Sequence, residues 1–188
     1  YAPDLPIPAI IKTLEGELYT RVNDENGEER LVWLLEKIEG VTYARFGAKN
    51  NDLLYELGAI VGDMDKALQD FTHPALIRNF KWNLCQAHWI TDHIDAIQST
   101  SRHSIIQQII NDYQSIYSKL LTLPQGAIHN DINDYNILIQ GSLTQQAKVS
   151  GIIDLGDMCA GPRICDLAIS AAYLMLDCAQ PEQALEAL

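Results

Sequence analysis

Residues 128–139 read Ile128-His129-Asn130-Asp131-Ile132-Asn133-Asp134-Tyr135-Asn136-Ile137-Leu138-Ile139, and residues 150–157 read Ser150-Gly151-Ile152-Ile153-Asp154-Leu155-Gly156-Asp157. Residues 137–139 and 149–153 are short β-branched runs, and the segment between them, 140–146, is polar, so together they predict a β-hairpin. In an antiparallel pair, the residue that begins the first strand lies beside the residue that leaves the second. Asn136 and Asp154 are therefore expected to meet at one edge despite their separation in sequence. An amide oxygen and a carboxylate at one point suit a hard cation. Mg²⁺ binds through one or two protein oxygens and completes its shell with water and phosphates, so Asn136 and Asp154 form a half-site for it. Asp131 falls on the loop just before that edge. A carboxylate there can accept a hydrogen bond from a substrate hydroxyl and orient it for in-line attack on a γ-phosphate.

Working outward, apolar residues recur at helical spacing over 51–71, with Asn and Asp available as caps just before them. They recur again over 105–121, where Pro124-Gln125-Gly126 ends the pattern. Residues 18–22 and 31–35 are apolar and β-branched runs flanking Asn26-Gly27, a dipeptide suited to positive-φ turns, and predict an earlier hairpin. Downstream, 167–178 reads as a helix opening after Asp166 as its cap, and the acidic, Ala/Leu-rich end from Pro181 as a further helix. There is no internal repeat and no low-complexity tract.

Composition narrows the classes. The chain has 188 residues with 47% hydrophobic content, enough for one core. Its 25 acidic residues against 13 basic ones, with no Lys/Arg cluster, argue against a nucleic-acid or acidic-membrane partner. Cys85, Cys159, Cys165 and Cys178 show no CxxC or zinc-ligand spacing and read as reduced thiols of a cytoplasmic protein. Residues 1–8 carry three prolines and an acid rather than a basic patch before an apolar run, and no apolar stretch has membrane-spanning length. Neither a signal peptide nor a membrane helix is expected.

The spacing His129-x-Asp131-x-x-x-x-Asn136, with strand-ending Asp154 before Leu155-Gly156, resembles the catalytic loop and metal motif of protein-kinase-like phosphotransferases. Residues 161–168, Gly-Pro-Arg-Ile-Cys-Asp-Leu-Ala, resemble the segment that follows the metal aspartate in aminoglycoside and choline kinases. Runs at 53–58, 80–84, 133–139 and 149–154 are similar to the hydroxylysine kinases, so the likeness covers most of the chain. The resemblance implies an α+β protein-kinase-like fold with a partial N-lobe hairpin and a mostly helical C-lobe containing the catalytic β-hairpin. It implies residues 1–39 as a remnant of the N-lobe and hinge and 40–188 as the C-lobe core. It also implies Asp131 as catalytic base, Asn136 and Asp154 as Mg²⁺ ligands, and the backbone of Glu36, Lys37 and Ile38 as the hinge that binds the base of ATP or GTP. The acceptor would be a hydroxyl of a small amine-bearing metabolite such as hydroxylysine, with choline, homoserine or an aminoglycoside as alternatives.

Three departures from the family pattern stand out. Asn130 occupies a position that is usually Gly, and Asn is among the residues most tolerant of unusual φ. The metal motif is Asp-Leu-Gly, with an aliphatic residue where protein kinases often have Phe. No glycine-rich loop and strand lysine precede the first hairpin, and Lys12, Lys37 and Lys49 lie in the wrong contexts for a phosphate-gripping lysine. The chain is thus expected to be an internal piece of a longer kinase, inactive alone and with apolar surface favouring self-association. A non-catalytic kinase-derived module is the rival reading, and a Mg²⁺-dependent hydrolase a third. His129, Arg163 and Asp166 are expected to brace the catalytic loop. Asp134 and Asp157 read as solvated loop acids, and Trp33, Trp82 and Trp89 as core or interface residues.

Overall fold

A computed structural model of the chain describes residues 4–47, 50–142, 145–176, 178 and 180–188. Lys49 and the centre of the expected 140–146 loop, Leu143 and Thr144, lie outside the described residues. Strands β1 (Ile10–Ile11), β2 (Thr20–Asn23), β3 (Glu29–Val32), β4 (Leu34–Leu35) and β5 (Val41–Thr42) come first. Helices α1 (Asn51–Leu68) and α2 (Thr100–Leu120) follow. Strands β6 (Gln125–Ile128), β7 (Ile137–Ser142), β8 (Gln145–Ile152) and β9 (Cys159–Pro162) precede helices α3 (Ile164–Met175) and α4 (Pro181–Ala187).

The first hairpin forms as β2 against β3, with Gly27 at φ 77° in its turn, as the Asn-Gly pair requires. It is shorter than the apolar pattern suggested. Leu34 and Leu35 leave it and pair instead with Ile11 and Ile10 of β1, the strand being interrupted at Trp33. These outer strands expose their side chains, including Leu31, Trp33 and Leu34.

The interior is organised by α1, whose cap is the Asn50 side chain accepting the Leu53 N–H at 2.9 Å. Its buried stripe, Leu53, Leu54, Leu57, Val61 and Met64, packs on Ile137, Ile139, Val149 and Ile152 of the β7–β8 hairpin and on Leu174 of α3. Burying such side chains stabilises by roughly 1.5–3 kcal/mol each. Glu56 of the same helix accepts the Val149 N–H at 3.0 Å, which ties the helix to the hairpin by a polar contact as well. A smaller apolar cluster joins Ile128, Cys159 and Cys165 with Leu84, Cys85 and Leu120, where three cysteines serve as small hydrophobic side chains.

Several expectations are corrected. The segment 140–146 is largely strand, since β7 runs to Ser142 and β8 starts at Gln145. Helix α3 begins at Ile164, so Asp166 sits in its first turn and is not its cap; the carboxylate points its lone pairs elsewhere, as shown below. Only Ile110 of α2 is buried, and Ile105, Ile109 and Ile116 remain exposed although their spacing marks an apolar face. That face lacks a packing partner among the described residues. Of the tryptophans expected in the core or at an interface, Trp33 and Trp82 are exposed, which excludes the core for these two. Residues 84–96 form a series of 3-10 turns that hydrophobic periodicity does not reveal.

Candidate active site

The candidate catalytic loop connects β6 to β7, and its shape is fixed by side chains that cap their own backbone. Asn133 accepts the main-chain N–H of Tyr135 at 2.8 Å and of Asn136 at 3.1 Å, while its amide donates to Asp131 Oδ1 at 2.8 Å. Asn136 Nδ2 donates to the Asp131 carbonyl at 2.9 Å and to Asp131 Oδ2 at 2.8 Å. Two amides therefore hold the Asp131 carboxylate in one orientation, and each of its oxygens keeps acceptor capacity for a substrate hydroxyl. Because only the nitrogen of an amide can donate to those two acceptors, Oδ1 of Asn136 is the atom left to bind a cation.

The candidate metal edge follows from the register. Ile137 pairs with Ile152, and the Ile153 N–H donates to the Asn136 carbonyl at 2.9 Å, which brings Asn136 beside the residue preceding Asp154. The backbone then turns sharply. Asp154 adopts the left-handed conformation (φ 65°, ψ 68°) and caps a 3-10 turn, Leu155–Asp157, by accepting the Gly156 N–H at 3.3 Å. Asp154 is exposed at this edge, whereas Asn136 is buried. The donor set is an amide oxygen and an accessible carboxylate, with no thiolate or imidazole. That chemistry fits Mg²⁺ held jointly with phosphates better than a closed protein cage. Among the described residues no group of three or more His, Cys, Asp or Glu side chains forms such a cage.

Behind the loop lies a buried polar brace. Asp166 is 1% exposed and accepts the main-chain N–H groups of His129 at 2.8 Å and Asn130 at 2.7 Å. Burial pushes its carboxyl above the ordinary range, opposed by those two amides and by His129. The His129 ring accepts the Asp131 N–H on Nδ1 at 3.2 Å, which leaves Nε2 to carry the hydrogen donated to the Ile153 carbonyl at 3.1 Å. One imidazole thus links the loop bearing Asp131 to the end of β8. Asn130 is left-handed (φ 66°), a conformation that asparagine tolerates and most residues resist.

Glu36, Lys37 and Ile38 approach the same sheet from the outer strands. The Glu36 N–H donates to the Ala9 carbonyl at 2.8 Å, Lys37 pairs with Glu39 at 2.7 Å, and Ser150 Oγ donates to the Glu39 carbonyl at 2.9 Å. Ile38 covers Gly151 so closely that a Cβ there would meet its side chain at 2.9 Å.

A model of the phosphotransferase enzyme family matches residues 2–188. The chain belongs to this family. Hydroxylysine kinase of Mus musculus is 29% identical over 194 residues, covering 97% of this chain and 51% of that protein. Hydroxylysine kinase of Xenopus laevis is 32% identical over 165 residues, covering 82% of this chain and 44% of that protein. The chain therefore spans about half the length of the curated relatives it matches. Among solved structures, a microcompartment-associated aminopropanol kinase superposes with a TM-score of 0.69 at 18% identity, covering 98% of this chain and 57% of that one. Amicoumacin kinase, in complex with AMP-PNP, Ca²⁺ and Ami, gives 0.60 at 16% identity, covering 92% and 49%. The α+β, protein-kinase-like fold of these phosphotransferases is thus the fold of this chain.

Within that family framework, two contacts beside the site escaped the sequence reading. Arg78 donates to the Gly156 carbonyl at 3.0 Å with its guanidinium stacked over Phe80, so the 78–83 segment braces the turn that follows Asp154. Asn130 Nδ2 donates to the Trp82 carbonyl at 3.3 Å, so the same segment also touches the catalytic loop. Only the resemblance of residues 80–84 to the hydroxylysine kinases marked this stretch at all.

Proposed function

We propose that the protein carrying this chain transfers the γ-phosphate of ATP or GTP, with Mg²⁺, to a hydroxyl of a small amine-bearing metabolite. Hydroxylysine, homoserine, choline and aminoglycosides are the acceptors that this reading names. The observation that carries it is the shared edge. The Asp131 carboxylate is fixed by the Asn136 amide, and the Asn136 carbonyl is bonded to the residue next to Asp154. Asp131 would accept the hydroxyl proton at a carboxylate oxygen as the acceptor oxygen attacks, while Asn136 and Asp154 would hold the metal. Bound there, Mg²⁺ would neutralise charge on the phosphates being separated. The remaining catalysis is positioning, since phosphoryl transfer asks little covalent chemistry of the protein. The backbone of Glu36, Lys37 and Ile38 would receive the nucleotide base, with residues 1–39 serving as N-lobe and hinge and 40–188 as C-lobe. Four cysteines present as free thiols support a cytoplasmic setting, and no described helix is long and apolar enough to cross a membrane.

The second reading, a non-catalytic kinase-derived module, draws on one observation: this sequence contains no glycine-rich loop followed by a strand lysine. A coupled assay of the full-length protein against the four acceptors, with ATP and with GTP, decides between them. Mg²⁺-dependent turnover with at least one acceptor is expected. Nucleotide binding without turnover on any acceptor would favour the module.

A further inference from the structure

The 78–89 segment is wired more tightly than an ordinary surface loop. Gln86 accepts the Phe80 N–H at 2.9 Å and donates to the Arg78 carbonyl at 3.1 Å, and the buried Asn83 side chain accepts the Cys85 N–H at 2.9 Å. Trp89 Nε1 donates to the Lys81 carbonyl at 3.1 Å. The Lys81 ammonium also lies over the Trp89 ring, 4.5 Å from its centroid, and 5.4 Å from the centroid of Trp82. A lysine resting on one exposed ring is commonplace. Here two indoles hold the ammonium, and one of them anchors the same residue's backbone.

This arrangement leaves Lys81 unusually available. It makes no ion pair with any of the described residues, in a chain whose net charge is −12. An ammonium has three donors, and ring faces satisfy none of them as an oxygen would. The neighbouring cation, Arg78, is already committed to Gly156 and Phe80. Lys81 precedes Trp82, whose carbonyl is bonded to Asn130, and Asn130 precedes Asp131. One hydrogen bond, from Asn130 to the Trp82 carbonyl, thus ties the residue after Lys81 to the residue before Asp131, and the two indoles pre-position the ammonium on that segment at low entropic cost.

We propose that Lys81, held by Trp82 and Trp89, binds the carboxylate of the phosphoryl acceptor, which makes that acceptor a hydroxy amino acid. The inference rests on the phosphotransferase reading above and sharpens it. Hydroxylysine and homoserine carry a carboxylate, whereas choline and aminoglycosides carry none and would bring another positive charge toward Lys81.

The test pairs two acceptors with two substitutions in the full-length protein. 5-Hydroxylysine is compared with its decarboxylated diamino alcohol, in wild type, Lys81→Met and Lys81→Arg. Lys81→Met should raise KM for 5-hydroxylysine by about five- to tenfold with kcat within about twofold, a loss the size of one charge-assisted contact. Lys81→Arg should restore most of it. The diamino alcohol should be a poorer acceptor for wild type, and Lys81→Met should leave its KM unchanged. Equal effects on both acceptors, or none on either, would overturn the inference. Calorimetric titration of each protein with 5-hydroxylysine, without nucleotide, separates this from failure of the kinase reading. Binding weakened by Lys81→Met but not by Lys81→Arg supports the carboxylate site even if no phosphate is transferred. Binding insensitive to Lys81, or no binding, refutes it.

Discussion

The Asp166 carboxylate accepts the main-chain N–H groups of two consecutive residues, His129 and Asn130, at 2.8 and 2.7 Å. Both residues are buried, and no second acceptor among the described residues bonds these N–H groups. Asp166→Ala should therefore destabilise the protein by about 2–5 kcal/mol, because two buried amides lose a charged acceptor at once. Urea denaturation measures this. Hydrogen exchange should locate the loosening at residues 129–131.

The two acids at the catalytic edge should differ in kind. In the full-length protein Asp131→Ala should lower turnover by roughly 10²–10⁴-fold with nucleotide affinity little changed, since in the proposed function its carboxylate would serve the acceptor hydroxyl. Asp154→Ala should in addition weaken Mg²⁺-dependent nucleotide binding. Initial rates together with nucleotide titrations with and without Mg²⁺ separate the two outcomes. Small, equal effects from both changes would contradict these roles.

Asp65 gives a prediction in pH. Burial, aided by repulsion from Asp166 and opposed by Arg163, raises its carboxyl to about 6, and its buried Oδ1 has no hydrogen-bond partner. Since the folded value lies above the unfolded value of 3.8, the folded state binds the extra proton between them. The contribution of Asp65 is most favourable below the unfolded value and is lost as pH rises through about 6. Asp65→Asn should thus raise Tm at pH 7.5 by a few degrees, about 2–4 °C per kcal/mol for a chain of this size, and give little gain near pH 4. Calorimetric scans at the two pH values test the sign.

Asn130 combines a backbone need with a side-chain contact. Asn130→Ala should cost about 1–2 kcal/mol for the left-handed conformation alone. Asn130→Gly should spare that cost yet still free the 78–89 segment from the catalytic loop. Thermal melts should separate Ala from Gly, whereas hydrogen exchange at 80–86 should rise in both.

The outer strands expose Ile10, Ile11, Leu31, Trp33 and Leu34. The 188-residue chain should accordingly self-associate with rising concentration in light scattering, and Leu31→Lys with Leu34→Lys should suppress it.

Where local chemistry decides structure, the sequence was legible. The β7–β8 hairpin, the Asn50 cap of α1, the Asn26-Gly27 turn and the convergence of Asn136 with the end of β8 all follow from period, turn residues and strand register. The pairing of β6 with β9 and of β5 with β7 joins segments distant in the chain, and nothing in their own residues names the partner. Asp166 looked like a cap because an acid before an apolar helix usually is one, whereas its carboxylate is taken by a loop that packs behind it. Lys81 carried no signal of its own, since its environment comes from Trp89 eight positions later and from Trp82, whose carbonyl is tied to Asn130 across the fold.

The left-handed backbone at Asn130 also shapes how this position can change over generations. From either asparagine codon one base change reaches Asp, His, Ser, Thr, Ile, Tyr or Lys, but never Gly. β-branched Thr and Ile resist φ 66° most strongly, whereas Asp and His tolerate it best. A lineage with asparagine here, and its contact to Trp82, therefore reaches glycine only through an intermediate. Aspartate is the favoured one, and it would bring a further negative charge between Asp131 and Asp166.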